Sequence, residues 1–211
     1  MRVLIFGASI TQGFYDTEGG WVNRLRKHYD ELQIQDLKNN HYPTVFNLGI
    51  SGDNTTGLLR RFKSETEARI WPDEEFLFVF SIGTNNALER NGVAASSPTE
   101  YANDLKKIVD QARGYSNKIM MVGLPCCDEA LTRPVAWEPN ISYTNDNIRG
   151  IDNAMRDLCS HESIPYVHIF EAFQKELAAG NNILSDGLHP NNEGHQLILD
   201  LVMPTIEKVA A

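Results

Sequence analysis

The sequence predicts an α/β fold, a three-layer sandwich built around a mostly parallel sheet. Short, wholly apolar runs alternate along the chain with segments of 3.6-residue period. The runs are apolar without alternation, as in strands buried on both faces of a parallel sheet. The strand–helix unit recurs about five times, and each helix must bury its apolar stripe on the sheet. Right-handed crossovers then gather the strand C-termini on one edge, where ligands bind.

The strand candidates are Val3 to Phe6, Val45 to Leu48, Phe76 to Phe80, Ile119 to Val122 and Tyr166 to Phe170. Between the first two, Trp21, Leu25, Tyr29 and Leu32 share a helical face. Leu58, Leu59 and Phe62 mark the second helix. The third opens on Ser97-Pro98-Thr99-Glu100, a capping box with Pro at the first helical position. Its face runs through Leu105, Ile108, Val109 and Ala112. Ile148, Ile151, Met155 and Leu158 define the fourth. Leu197, Ile198, Leu201 and Val202 define the last, which Pro204 is expected to kink or end early. The longest irregular stretch, Leu124 to Asn145, follows the fourth strand on the expected ligand edge. A loop that long in a compact domain is usually functional.

The chain of 211 residues has the length of one domain, and no repeat, low-complexity tract or linker divides it. One domain over 1–211 is therefore expected. The net charge is −9, from 19 Lys+Arg against 28 Asp+Glu, which disfavours nucleic acid or an anionic membrane surface as main partner. A local basic pocket is still compatible with it. No run reaches the length of a membrane span. The three cysteines form neither a disulfide framework nor a zinc pair, and they suit a reducing compartment. The opening Met1-Arg2-Val3-Leu4-Ile5-Phe6-Gly7 reads as a first strand rather than a signal peptide, so a cytoplasmic protein is expected.

Four polar segments carry chemistry. Gly7-Ala8-Ser9-Ile10-Thr11-Gln12-Gly13 follows strand one and lands Ser9 at the sheet edge. It lacks the spacing of a dinucleotide or phosphate loop, and Thr11 stands where a Gly-x-Ser-x-Gly elbow has its last glycine. Alone it reads equally as a plain turn with a helix cap. Asn47-Leu48-Gly49-Ile50-Ser51-Gly52-Asp53-Asn54-Thr55 lets backbone amides approach a ligand, or simply caps a helix. In Ser81-Ile82-Gly83-Thr84-Asn85-Asn86 a side-chain amide is available to a developing negative charge, against the alternative of a turn. Ser185-Asp186-Gly187-Leu188-His189-Pro190-Asn191 spaces Asp and His so that the carboxylate can orient the imidazole. Together they follow the order nucleophile, backbone donor, amide donor and Asp-x-x-His.

In that combination the sequence resembles the SGNH hydrolases, the GDSL-type lipase/esterase family, whose four blocks match these segments over nearly the whole chain. The resemblance implies a three-layer α/β/α sandwich with a five-stranded parallel sheet, the flavodoxin-like SGNH hydrolase fold. It also implies hydrolysis of carboxylic esters without cofactor or metal. Ser9 matches the nucleophile, and Asp186 and His189 match the rest of the triad. The N–H groups of Ser9 and Gly52 and the Asn85 amide match the oxyanion hole. Ala8 and Asn86 stand where the family usually has Asp. The expected substrate is a small-molecule ester with a small or short acyl group; acetylated sugars, thioesters and lysophospholipids fall within the class. The competing readings are a non-catalytic ligand-binding α/β module and a flavodoxin-like nucleotide or phosphate binder. The missing phosphate-loop lysine argues against the last.

Other residues carry plainer expectations. His195 reads as a surface or packing histidine in the last helix, and His168 as a satisfied, partly buried residue of strand five. His28, His41 and His161 read as solvated. Cys126, beside Cys127 and without an obvious basic partner, reads as structural. Trp137, Arg133 and Tyr143 are candidates for a pocket wall. Trp71-Pro72-Asp73-Glu74-Glu75 reads as a turn with an acidic rim.

Overall fold

A computed structural model describes residues 1–38 and 42–210. The elements, in order, are β1 (Arg2–Gly7), α1 (Ser9–Gln12), α2 (Gly20–Gln35), β2 (Thr44–Gly49), α3 (Thr55–Glu67), β3 (Phe76–Ser81), β4 (Glu89–Arg90) and β5 (Val93–Ala94). There follow α4 (Pro98–Arg113), β6 (Ile119–Val122), α5 (Glu129–Thr132), β7 (Ile141–Ser142), α6 (Asn145–Glu162), β8 (Tyr166–Val167), α7 (Phe170–Ala178) and α8 (Asn192–Ala210).

The main sheet has the order β2-β1-β3-β6-β8, with every pairing parallel. Helix α2 packs on α8 on one face; α3, α4 and α6 pack side by side on the other. This is the three-layer α/β/α architecture with a five-stranded parallel sheet. The central strand β3 shows why the apolar runs need two covers. Phe76, Phe78 and Phe80 alternate along it and stack in sequence, at 5.9 and 6.4 Å, and Phe62 of α3 packs against the last two. Leu77 and Val79 are fully buried on the opposite side. The capping box at Ser97 and Glu100 forms reciprocally, as its sequence requires.

The strand order changes direction between β1 and β3. Such a switch point opens a crevice at the strand C-termini. The chain continues from the two strands through Ser9 and Asn85.

Several expectations differ from the structure, and one sheet was not foreseen. Strand five pairs only over Tyr166–Val167, because β6 ends at Val122 and the last rung is Gly123 N–H to Val167 O. The rest of that apolar run turns into α7, where Phe170 and Phe173 are buried. His168 therefore lies past the strand and is exposed, with its ring edge-on to Tyr166. Pro204 does not end α8: it faces solvent while Val202 and Ile206 on either side are buried, so the missing N–H falls on the solvated side of a packed helix. A second, antiparallel sheet of order β5-β4-β7 lies outside the strands the periodicity marks. His28 is half-buried, His161 is exposed, and His41 lies outside the described residues.

Candidate active site

Ser9 opens the short helix α1 directly after β1, where no intrahelical acceptor exists for its N–H. Close packing positions it. A Cβ on Gly7 would come within 1.9 Å of Thr11 Oγ1 and 2.4 Å of the Ser81 carbonyl, so only glycine lets the turn lie against β3. Thr11 in turn donates to the Ser81 carbonyl and accepts from the Asn47 amide through its own carbonyl.

His189 Nε2 lies 3.0 Å from Ser9 Oγ, and His189 Nδ1 lies 2.7 Å from Asp186 Oδ2. A carboxylate on Nδ1 fixes the tautomer: Nδ1–H donates to Asp186, leaving Nε2 to accept from the serine hydroxyl. Asp186 Oδ1 also accepts from the N–H groups of Leu188 and His189. Burial pushes the Asp186 carboxyl up. The hydrogen bonds and the imidazole charge outweigh it, and the net shift is downward. Ser9 and His189 are both buried, at 7% exposure each. The four-segment pattern thus brings residues 180 positions apart into one relay.

Gly52 and Asn85 line the same pocket as Ser9 and His189. Gly52 has φ +81, a conformation that glycine adopts without cost. Its loop is anchored from two sides. Ser51 N–H donates to Gln12 Oε1, and Asp53 is held by Arg61, whose Nε donates to Oδ2 at 2.8 Å and whose Nη2 reaches the Gly7 carbonyl. Asn85 is fixed at both ends of its amide. Nδ2 donates to the Asp53 carbonyl at 2.8 Å, and Oδ1 accepts from the Tyr143 hydroxyl at 2.9 Å. The second Asn85 N–H has no partner among the described residues. Burial pushes the Tyr143 phenol up to about 12, so it stays a donor at neutral pH.

The two departures from the family pattern have different fates. Asn86 is buried and accepts from Thr55 N–H through Oδ1 while Nδ2 donates to the Thr55 and Ser96 hydroxyls. It satisfies the first N–H of α3, whose own cap is Asn54, with a neutral side chain. Ala8 packs into the core at 6% exposure.

The pocket has a volume of about 590 Å³. Its rim is aromatic: Phe14, Tyr15 and Trp137 stand 5.3, 5.4 and 5.8 Å, centroid to centroid, from the His189 ring. Tyr15 has φ +63, a conformation costing an L-residue about 1–2 kcal/mol. Its neighbour Asp16 anchors the turn, accepting from the Gly20 N–H and from Nε and Nη2 of Arg24. Leu88, Arg90, Ala95 and Ile141, in or beside the β4–β5 hairpin and β7, also line it. Of the loop candidates, Trp137 and Tyr143 line the pocket. Arg133 does not, and pairs with Glu129 at the surface. The 124–145 stretch contains α5 and β7 and is pinned to the site by Asp128 N–H, which donates to the Gly187 carbonyl.

Sequence reasoning did not single out Phe14, Tyr15, Gln12, Arg61 or Arg90. For Arg90 a signal exists: Asn91-Gly92 is the two-residue hairpin signature, and both residues take positive φ. For the others no local pattern stands out, because their roles depend on which loops meet. His195 is fully buried and packs as the plainer reading has it. All three cysteines are buried, and burial pushes Cys126 up to about 12 and Cys127 to about 11, which makes them poor nucleophiles. No His/Cys/Asp/Glu group fit to hold a metal occurs among the described residues. Nor is any described helix long and apolar enough to cross a membrane.

Residues 5–197 match the model of the GDSL-like lipase/acylhydrolase family. The isoamyl acetate-hydrolyzing esterase of Saccharomyces cerevisiae is 24% identical over 212 residues, covering 98% of this chain and 86% of its own. A GDSL esterase/lipase of Oryza sativa subsp. japonica is 24% identical, with 97% and 77% covered. Among solved structures, the lipase/acylhydrolase from Enterococcus faecalis superposes with a TM-score of 0.75 at 18% identity, covering 98% of this chain and 95% of its own, a likeness of fold.

Proposed function

The chain belongs to the GDSL-like lipase/acylhydrolase family and is a carboxylic-ester hydrolase; we propose that it cleaves small esters through an acyl-enzyme on Ser9. His189 Nε2 takes the Ser9 hydroxyl proton as Oγ attacks the ester carbonyl carbon. The carbonyl oxygen becomes an oxyanion, held by the N–H groups of Ser9 and Gly52 and by the uncommitted N–H of Asn85. The intermediate collapses, the carbon–oxygen bond to the alcohol breaks, and His189 returns the proton to the departing alkoxide. Water then repeats the sequence on the acyl-enzyme and releases the acid. Asp186 stays ionised throughout and stabilises the imidazolium.

The observation that carries this reading is the hydrogen-bonded relay from Asp186 through His189 to Ser9, opening into the pocket that Gly52 and Asn85 line. A pocket of about 590 Å³ suits a small ester. The name of the yeast relative, an esterase of isoamyl acetate, supports a short acyl group. The test is hydrolysis of p-nitrophenyl acetate and longer homologues by the wild type and by Ser9→Ala. The expected result is turnover favouring short chains, with the folded variant inactive. Near wild-type hydrolysis by folded Ser9→Ala would refute the mechanism.

A further inference from the structure

Arg90 lies at the pocket that holds the relay. Among the described residues it is the only permanently charged side chain lining the pocket. Arg90 is exposed to solvent and, like Arg60 and Arg156, makes no ion pair or side-chain hydrogen bond among the described residues, but of these three only Arg90 lines the pocket. A guanidinium left without a carboxylate in a chain of net charge −9 is available to a ligand. Its placement is built. The tight turn at Asn91-Gly92 fixes β4, and antiparallel pairing sets Arg90 opposite Ile141. Its neighbour Glu89 points elsewhere and accepts from the Asn147 amide. Ile141, the partner of Arg90 across the ladder, lies two residues from Tyr143, whose hydroxyl holds Asn85, and all four residues line one pocket. The cation therefore sits on the wall that adjoins the proposed oxyanion hole.

The pocket has two sides. A leaving alcohol must lie beside His189 Nε2 to receive its proton, which puts it among Phe14, Tyr15 and Trp137. The hairpin wall of Leu88, Arg90 and Ile141 is left for the acyl group. There, methylenes meet Leu88 and Ile141, and the end of the chain meets a guanidinium suited to two-point binding of a carboxylate. We propose that the enzyme's substrates are esters whose acyl part ends in a carboxylate, with Arg90 as the group that binds it. This rests on the ester-hydrolase reading and narrows it to a substrate class.

The experiment compares p-nitrophenyl hydrogen adipate with p-nitrophenyl hexanoate, esters of the same acyl length that differ by the terminal carboxylate. Spontaneous hydrolysis is subtracted, and the readout is the ratio of their kcat/KM values. A charge-assisted hydrogen bond gives a wild-type ratio of about tenfold in favour of the acid ester. Arg90→Gln lowers the ratio to about one, Arg90→Glu takes it below one, and Arg90→Lys keeps part of it. Added salt lowers the wild-type ratio and leaves that of Arg90→Gln flat. A wild-type ratio at or below one, or an unchanged ratio in Arg90→Gln, overturns the proposal while leaving ester hydrolysis intact. Hydrolysis of p-nitrophenyl acetate but of neither six-carbon ester overturns this inference alone, whereas hydrolysis of none of the three would defeat the parent reading and this inference with it.

Discussion

Tyr143 donates its hydroxyl hydrogen to Asn85 Oδ1, while the Asp53 carbonyl, which can only accept, decides which way the amide faces. With Oδ1 engaged and one N–H on the Asp53 carbonyl, the remaining N–H is aimed without freedom to flip. Asn85→Ala should lower kcat by about 10²–10³-fold, the usual effect of losing an oxyanion donor. Tyr143→Phe removes only the hydroxyl. It should lower kcat by about tenfold with little change in KM, since it loosens a transition-state donor rather than a substrate contact. In the Asn85→Ala background, Tyr143→Phe should cost almost nothing. Full additivity in that double-mutant cycle would show that Tyr143 acts by some other route. Asp186→Asn should reduce kcat by about 10⁴-fold, because an amide beside Nδ1 permits the wrong imidazole tautomer. Asp186 is also tuned for this role: its lowered pKa keeps it charged as the solution becomes acidic.

Helices α2 and α8 meet through His195, which accepts the Trp21 N–H at the start of α2 and is fully buried. Burial, the largest cause, lowers its pKa from 6.5 to about 4. The unfolded chain binds a proton below about 6.5 that the folded chain refuses until about 4. Stability from this residue is therefore complete above pH 6.5 and is lost as the pH falls toward 4, by roughly 3 kcal/mol in all. Urea unfolding from about pH 7 to 4 should show a shallower fall for His195→Gln, which keeps an acceptor but cannot titrate. An identical slope would show that His195 does not couple folding to protons. At this scale the sequence was unevenly legible. The capping box located α4 to the residue, because both partners of the box are local. The fifth strand was overextended, since an apolar run does not reveal where its partner strand stops. That Pro204 leaves α8 unbroken was not legible, because its penalty depends on which side of the helix faces water. The hairpin carrying Arg90 announces itself through Asn91-Gly92, yet its strands are too short for a periodicity to register.

Across the whole molecule, the sheet order creates one place where loops from β1 and β3 diverge, and the relay occupies it. The layered fold and the meeting of Ser9, Gly52 and Asn85 at one edge were legible together, because buried parallel strands force their C-terminal loops to converge; Asp186 and His189, between α7 and α8, were legible through their own three-residue spacing and the resemblance. What escaped was the second tier: Arg61 on Asp53, Gln12 on the Ser51 N–H, and the aromatic rim around His189. Those contacts join residues from different loops, and only the folded chain shows which loops touch. The central claim is that Ser9, activated by His189 and Asp186, is the group that attacks the ester. Its most direct test is intact-mass and peptide mapping after exposure to a fluorophosphonate. The expected result is one adduct per chain, on Ser9, lost in Ser9→Ala and slowed greatly in His189→Ala. An unlabelled native protein, or an adduct on any other residue, would contradict it.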